Sequence, residues 1–109
     1  MNWNQLTTEQ QLDELIQSSH AKPVVIFKHS TRCSISSTAL SRLERAWDAT
    51  ETAAFYLDLI AYRPISGLIA EKFEVEHQSP QVLVINKGNC TYSATHWDIA
   101  MDELKPYLA

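Results

Sequence analysis

Two short apolar runs with no polar interruption limit what this chain can fold into. Residues 24–27 (Val-Val-Ile-Phe) and 82–85 (Val-Leu-Val-Ile) are apolar at every position. A strand has two alternating faces, so such runs belong inside a sheet that is covered on both sides. A third run over 53–59 puts Phe55, Leu57 and Leu59 on one face and Ala54, Tyr56 and Asp58 on the other. The segments between them have helical spacing. Ala39, Leu40, Leu43, Ala46 and Trp47 make one stripe over about 34–48, with Glu44, Arg45 and Asp48 mostly opposite. Ile65, Leu68, Ile69 and Phe73 make another, and Pro64 suits its first turn.

The flanking segments complete the order. Residues 3–6 read as a short strand or an extended lead-in. Thr7 or Thr8 can cap a helix, because Gln10 and Gln11 each lie three residues on, as in a capping box. Leu12, Leu15 and Ile16 share its face, and Pro23 blocks its continuation. Lys87-Gly88-Asn89 is a turn. After it Cys90, Tyr92 and Ala94 alternate with Thr91, Ser93 and Thr95, which predicts an edge strand with one wet face. Asp98 is placed to cap a last helix along which Trp97, Met101, Leu104 and Leu108 align. The order β-α-β-α-β-α-β-β-α predicts a single α/β domain over residues 1–109, a central mixed β-sheet flanked by helices on both faces.

Composition excludes several function classes. The formal net charge is −4, with no basic run and no interleaving of basic with aromatic residues, which argues against nucleic-acid binding. No basic region followed by an apolar stretch opens the chain, and no run approaches membrane-spanning length. The expectation is a cytoplasmic protein without membrane contact. Two cysteines make no disulfide framework, and a reducing compartment disfavours a structural bridge.

The chemistry concentrates in Lys28-His29-Ser30-Thr31-Arg32-Cys33-Ser34-Ile35-Ser36. Cys33 falls where a buried strand hands over to a helix. A thiol there meets unpaired backbone N–H groups and the positive end of the helix dipole, both of which favour the nucleophilic thiolate. Amides near Ile35 and Ser36 are the expected donors. Arg32 adds positive charge, and Lys28 and His29 are candidates for tuning. The plainer reading makes Cys33 a small buried apolar group. The polar approach and the strand-to-helix junction weigh against it.

Ser36 is either a capping helix residue or the occupant of a resolving cysteine's place. Its hydroxyl can hydrogen-bond a thiolate but cannot form a disulfide, so a small thiol taken up by Cys33 waits for an external thiol. Cys90 reads as a core residue. If Pro80 lies next to Cys33, the strand over 81–86 puts Cys90 roughly 20 Å from Cys33 at about 3.3 Å per residue, beyond the ~7 Å Cα limit of a disulfide. It is taken to share an inward face with Tyr92 and Ala94. His77 and His96 read as solvated or hydrogen-bonded imidazoles, and Trp47 and Trp97 as core. No Cys and His spacing suggests a metal site. A cysteine-phosphatase loop is excluded because no basic residue or glycine follows Cys33 through Leu40.

The element order resembles the thioredoxin fold. Cys33-Ser34-Ile35-Ser36 stands where that fold carries Cys-x-x-Cys, and Ser79-Pro80 where it places a cis-proline beside the active cysteine. Over nearly its whole length the chain is similar to the monothiol bacilliredoxins of the YtxJ type. Three stretches carry the likeness: Phe27 through Ser36, Val75-Glu76-His77-Gln78-Ser79-Pro80-Gln81, and Ala94-Thr95-His96-Trp97, with Asp58, Arg63 and Ala70 between them. Cys90 departs from the pattern. The resemblance implies a thioredoxin-like thiol–disulfide oxidoreductase that removes bacillithiol from mixed disulfides on client proteins. Cys33 is then the nucleophile with Ser36 beside it, and Arg32, Ser34, Ile35, Ser79 and Pro80 shape the substrate-binding edge. No cofactor is bound permanently, the small thiol is a co-substrate, and the chain is a monomer or weak dimer. Two further readings stay open: a module that holds an iron–sulfur cluster between two subunits, and a redox-inactive thioredoxin-like interaction or stress protein.

Overall fold

The computed structural model describes residues Met1–Ala109. Its elements are β1 (Trp3–Gln5), α1 (Glu9–Ser18), β2 (Val24–His29), α2 (Ser34–Ala46), β3 (Ala54–Asp58), α3 (Arg63–Phe73), β4 (Gln81–Asn86), β5 (Asn89–Thr95) and α4 (Met101–Leu104). The strands form one mixed sheet in the order β1-β3-β2-β4-β5. β1, β3 and β2 run parallel, β4 is antiparallel to β2, and β5 is antiparallel to β4. The thioredoxin-like α/β architecture expected from the element order is the one observed.

The apolar run at 24–27 sits at the centre of this sheet, where both of its faces are covered. Val24 and Ile26 pack with Leu12, Leu15, Ile65 and Ile69 on the α1 and α3 side. Val25 and Phe27 pack with Ala39, Leu43, Met101 and Leu104 on the α2 and α4 side. The parity of β2 therefore assigns residues to layers. β2 also runs two residues beyond its apolar run, and all six positions are buried. Lys28 and His29, adjacent in sequence, are thus sent to opposite faces of the sheet.

The local signals mostly resolve as expected. Thr8 caps α1 in a complete capping box: its hydroxyl accepts from the Gln11 N–H at 3.1 Å, and the Gln11 side chain accepts from the Thr8 N–H at 3.1 Å. Pro64 lies in the first turn of α3.

Several expectations need correction. The last helix is only Met101–Leu104, followed by a 3-10 turn at Lys105–Leu108. Pro106 has no N–H to continue an α-helical ladder. Asp98 lies in a separate 3-10 turn (His96–Asp98) and caps nothing, and Trp97 is 58% exposed rather than core. The helix α2 ends at Ala46, which is exposed. In β5, Ile85 pairs with Cys90 while the preceding Val84 pairs with Tyr92, so Thr91 is an extra residue in the ladder. That bulge flips the parity. Cys90 faces the α1 and α3 layer, whereas Tyr92 and Ala94 face the α2 and α4 layer.

The register brings several loops to one end of the sheet. Lys28 pairs with Gln81, and Gln81 with Thr95. The chain leaves β2 toward Cys33, leaves β3 toward α3, enters β4 through Ser79-Pro80 and leaves β5 through His96, all at this end. Two backbone bonds tie these loops together: Leu59 N–H to the His29 carbonyl at 3.0 Å, and His96 N–H to the Pro80 carbonyl at 3.1 Å.

Candidate active site

Cys33 is the N-cap residue of α2, with extended dihedrals of φ −113° and ψ 121°. Its N–H donates to the Ser30 carbonyl at 3.1 Å, closing a tight turn, and its own carbonyl accepts from Ser37 at 3.1 Å as the first bond of the helix. The thiol is free and partly exposed. The expected place at the helix entrance is confirmed. The expected bond to the first-turn amides is not formed in this conformation, since the side chain makes no capping hydrogen bond. The sulfur thus stands beside the helix end, uncommitted and open to a reactant.

Ser36, in the first turn of α2, takes its hydrogen-bond partners from the end of β2 and the turn after it. It is fully buried. Its oxygen accepts from the Ser30 N–H at 3.0 Å and lies 2.7 Å from Nδ1 of His29. Neither partner is the sulfur. A hydroxyl has one proton and two lone pairs, and here the two partners hold the Ser36 oxygen whichever atom carries the shared proton. Ser36 therefore ties the end of β2 and the turn at Ser30 to the first turn of α2. Burial lowers the pKa of His29, against the opposing pull of Asp58 and Glu44.

Lys28 does not lie alongside the thiol as sequence adjacency suggested. Its parity sends it through the sheet to the α3 side. There its Nζ donates to the Ser66 carbonyl at 3.2 Å and faces Nδ1 of His77 at 3.3 Å. Lys28 is fully buried, and burial pushes its pKa down to about 8. His77, read from sequence as a solvated or hydrogen-bonded imidazole, is exposed and hydrogen-bonded, with Nδ1 also 3.2 Å from Ser66 Oγ. The signal that identifies this pair is strand parity carried past the apolar run.

Arg32 and Ser34 are exposed and Ile35 is half-buried around the Cys33 turn. The Ser79–Pro80 peptide bond is cis, as the fold analogy predicts. Pro80 is buried, and Ser79 Oγ is buried without a partner. His96 adopts φ 52° at the start of its turn, and it is its backbone that engages Pro80. Cys90 is half-buried, its Sγ donates to the Tyr92 carbonyl at 3.3 Å, and burial raises its pKa. Through Ile85 it aligns with Val24, at the opposite end of β2 from the Cys33 turn. From Val24 to Lys28 alone is about 13 Å of strand, so no disulfide can join the two cysteines. No group of three His, Cys, Asp or Glu side chains is placed to hold a metal ion, and no helix is long and apolar enough to cross a membrane.

Residues 4–104 match the sequence profile described as monothiol bacilliredoxin BrxC. The chain belongs to the monothiol bacilliredoxin family. Among solved structures, this bacilliredoxin is similar to a thioredoxin-fold protein with a suggested oxidoreductase activity. That protein is 28% identical, with a TM-score of 0.83 over 94% of this chain and 89% of its own. The thioredoxin of Fasciola hepatica superposes with a TM-score of 0.72 at 17% identity, covering 96% and 95% of the two chains. That of Trypanosoma brucei brucei gives 0.78 at 13%, covering 97% and 88%. Those two likenesses show the fold. Family and fold together make this bacilliredoxin a thiol–disulfide oxidoreductase, with one sulfur at the helix entrance and a hydroxyl one turn further on.

Proposed function

We propose that this bacilliredoxin reduces mixed disulfides between client-protein cysteines and a low-molecular-weight thiol of the bacillithiol class. Cys33 thiolate attacks the small-thiol sulfur of the mixed disulfide. A new Cys33–S bond to the small thiol forms as the old S–S bond breaks, and the electron pair leaves on the client sulfur, which takes a proton from solvent. A second small thiol, as thiolate, then attacks the small-thiol sulfur held on Cys33. It leaves as a symmetrical disulfide and restores the Cys33 thiolate, so the electrons come from the small-thiol pool. No permanently bound cofactor is needed. Arg32, Ser34 and Ile35 line one side of the docking edge and Ser79 with Pro80 the other. A reducing compartment such as the cytoplasm suits this cycle.

The observation that carries the reading is the isolation of Cys33. It is a partly exposed sulfur at a helix entrance, with a sulfur-free Ser36 one turn on and Cys90 at the far end of the sheet. The test is a purified client protein carrying a bacillithiol mixed disulfide. Wild-type protein releases the client thiol and gains one bacillithiol adduct on Cys33, read by intact mass, and Cys33→Ser does neither. Release by Cys33→Ser at the wild-type rate overturns the proposal.

A further inference from the structure

The main electrostatic anomaly outside the Cys33 edge is a buried cation with no anion. Lys28 is fully enclosed, and neither of the two ion pairs, Lys72–Asp13 and Lys105–Asp48, involves it. Its ammonium group has only hydrogens to give. Nδ1 of His77, 3.3 Å away, therefore presents its lone pair, and the ring proton resides on Nε2. With Nδ1 turned inward, Nε2 lies on the exposed side of the ring. Protonating His77 would set an N–H against the ammonium. Burial first, then the charges of Lys28 and Arg63, lower the pKa of His77. The ring is a neutral donor with a fixed direction.

Beside it lies a cleft of about 190 Å³ lined by Leu59, Arg63, Ser66, Gly67 and His77. Arg63 is exposed and has no ion pair. Nothing lies within 4 Å of where a Gly67 side chain would begin, so the cleft is open on that side. No carboxylate lines it. Asp58, which precedes α3, is held by the amides of Ile60 and Ala61 and acts on His29, its register partner on β2. An uncompensated positive corner in a chain of formal net charge −4 is open to an anion from outside.

We propose that this cleft is a carboxylate-binding subsite, in which the Arg63 guanidinium and the His77 Nε2–H contact the anion and Lys28 holds the ring in place from behind. The planar fork of arginine matches a carboxylate. The subsite opens at the same end of the sheet as Cys33. Its purpose, though not its existence, rests on the exchange reading: the carboxylate belongs to the small thiol or to a client side chain near the mixed disulfide.

Malonate titrated into the whole protein, followed by imidazole ¹H–¹⁵N NMR, tests the site directly. The resting spectrum shows His77 as the Nε2–H tautomer. Malonate shifts His77 saturably and leaves the other three histidines unmoved. Arg63→Gln, a surface change, weakens malonate binding about tenfold. Lys28→Met, close in volume, removes the tautomer preference. An unmoved His77, or equal affinity in Arg63→Gln, overturns the proposal. Exchange kinetics then separate the sources. If the small thiol supplies the carboxylate, Arg63→Gln raises KM for a mixed disulfide of thioglycolate relative to one of 2-mercaptoethanol. If the client supplies it, that ratio is constant and KM rises for client peptides with an acidic residue beside the cysteine. No change with either substrate overturns the purpose assigned to the subsite, whose existence the malonate titration decides. Malonate binding without Cys33 exchange keeps the subsite and removes the exchange reading, and exchange with an unmoved His77 does the reverse.

Discussion

At the scale of the residue, the two cysteines of this chain are made unequal by where the backbone puts them. Cys33 caps a helix and is partly exposed, with no partner on its sulfur. Cys90 is half-buried, donates to the Tyr92 carbonyl and is pushed toward its thiol form by burial. Iodoacetamide at pH 7.5 should alkylate Cys33 at least about tenfold faster than Cys90, since thiolate and access govern the rate. Peptide mass spectrometry against time reads this, and equal rates would show that the helix entrance confers nothing. Cys90→Ser should retain exchange activity. Ser36 is also decided at this scale. Ser36→Ala leaves the Ser30 N–H and His29 Nδ1 without their buried partner. The cost is about 1–3 kcal/mol, and a loss in Tm of several degrees, roughly 4–8 °C per kcal/mol, is expected by thermal unfolding. A variant that melts like wild type would show that the Ser36 staple carries no load. The place of Cys33 was legible in sequence because a strand-to-helix junction is a local signal. The engagement of Ser36 was not, because its partners lie six and seven residues back, across a turn.

At the scale of the element, legibility tracks how local the cause is. The capping box at Thr8 depends on four consecutive residues, and it was readable. Thr8→Ala should lower stability by about 1 kcal/mol, seen as a shift in the denaturant midpoint at constant slope. An unchanged midpoint would mean that tertiary packing alone holds α1. The continuous apolar run of β2 likewise announced a central strand. What the run did not announce is that the strand continues through Lys28 and His29, because their burial is made tolerable by Ser66, His77 and Ser36 on other elements. The β5 alternation misled for a related reason. A bulge at Thr91 is a property of pairing with β4, and the order of polar and apolar residues in β5 carries no mark of it. The last helix is shorter than its apolar stripe predicts, because Pro106 lacks the N–H that would carry the α ladder past Leu104.

At the scale of the whole molecule, the polar residues at the end of β2 couple the fold to pH. Lys28 has a pKa of about 8 in the folded chain against 10.5 when unfolded. Below pH 8 both states carry the proton, and the fold bears the full cost of enclosing the charge. Between pH 8 and 10.5 the unfolded chain binds more protons than the folded one, so stability rises with pH through that window. The full rise from this group is on the order of 3 kcal/mol. Cys90, Tyr56 and Tyr92, all raised by burial, act with the opposite sign from about pH 9 upward. The clean measurement is therefore the difference between wild type and Lys28→Met, in which those contributions cancel. Denaturant unfolding from pH 7.5 to 9.5 should show wild type gaining on Lys28→Met steadily. On the acid side His29 and His77, both lowered by burial, stay neutral in the fold while the unfolded chain takes up protons, so stability falls as pH drops below about 6.5. Lys28→Met also removes the charge that helps to hold His77 neutral. Its acid limb should be shallower than that of wild type, and parallel limbs would show that Lys28 and His77 titrate independently.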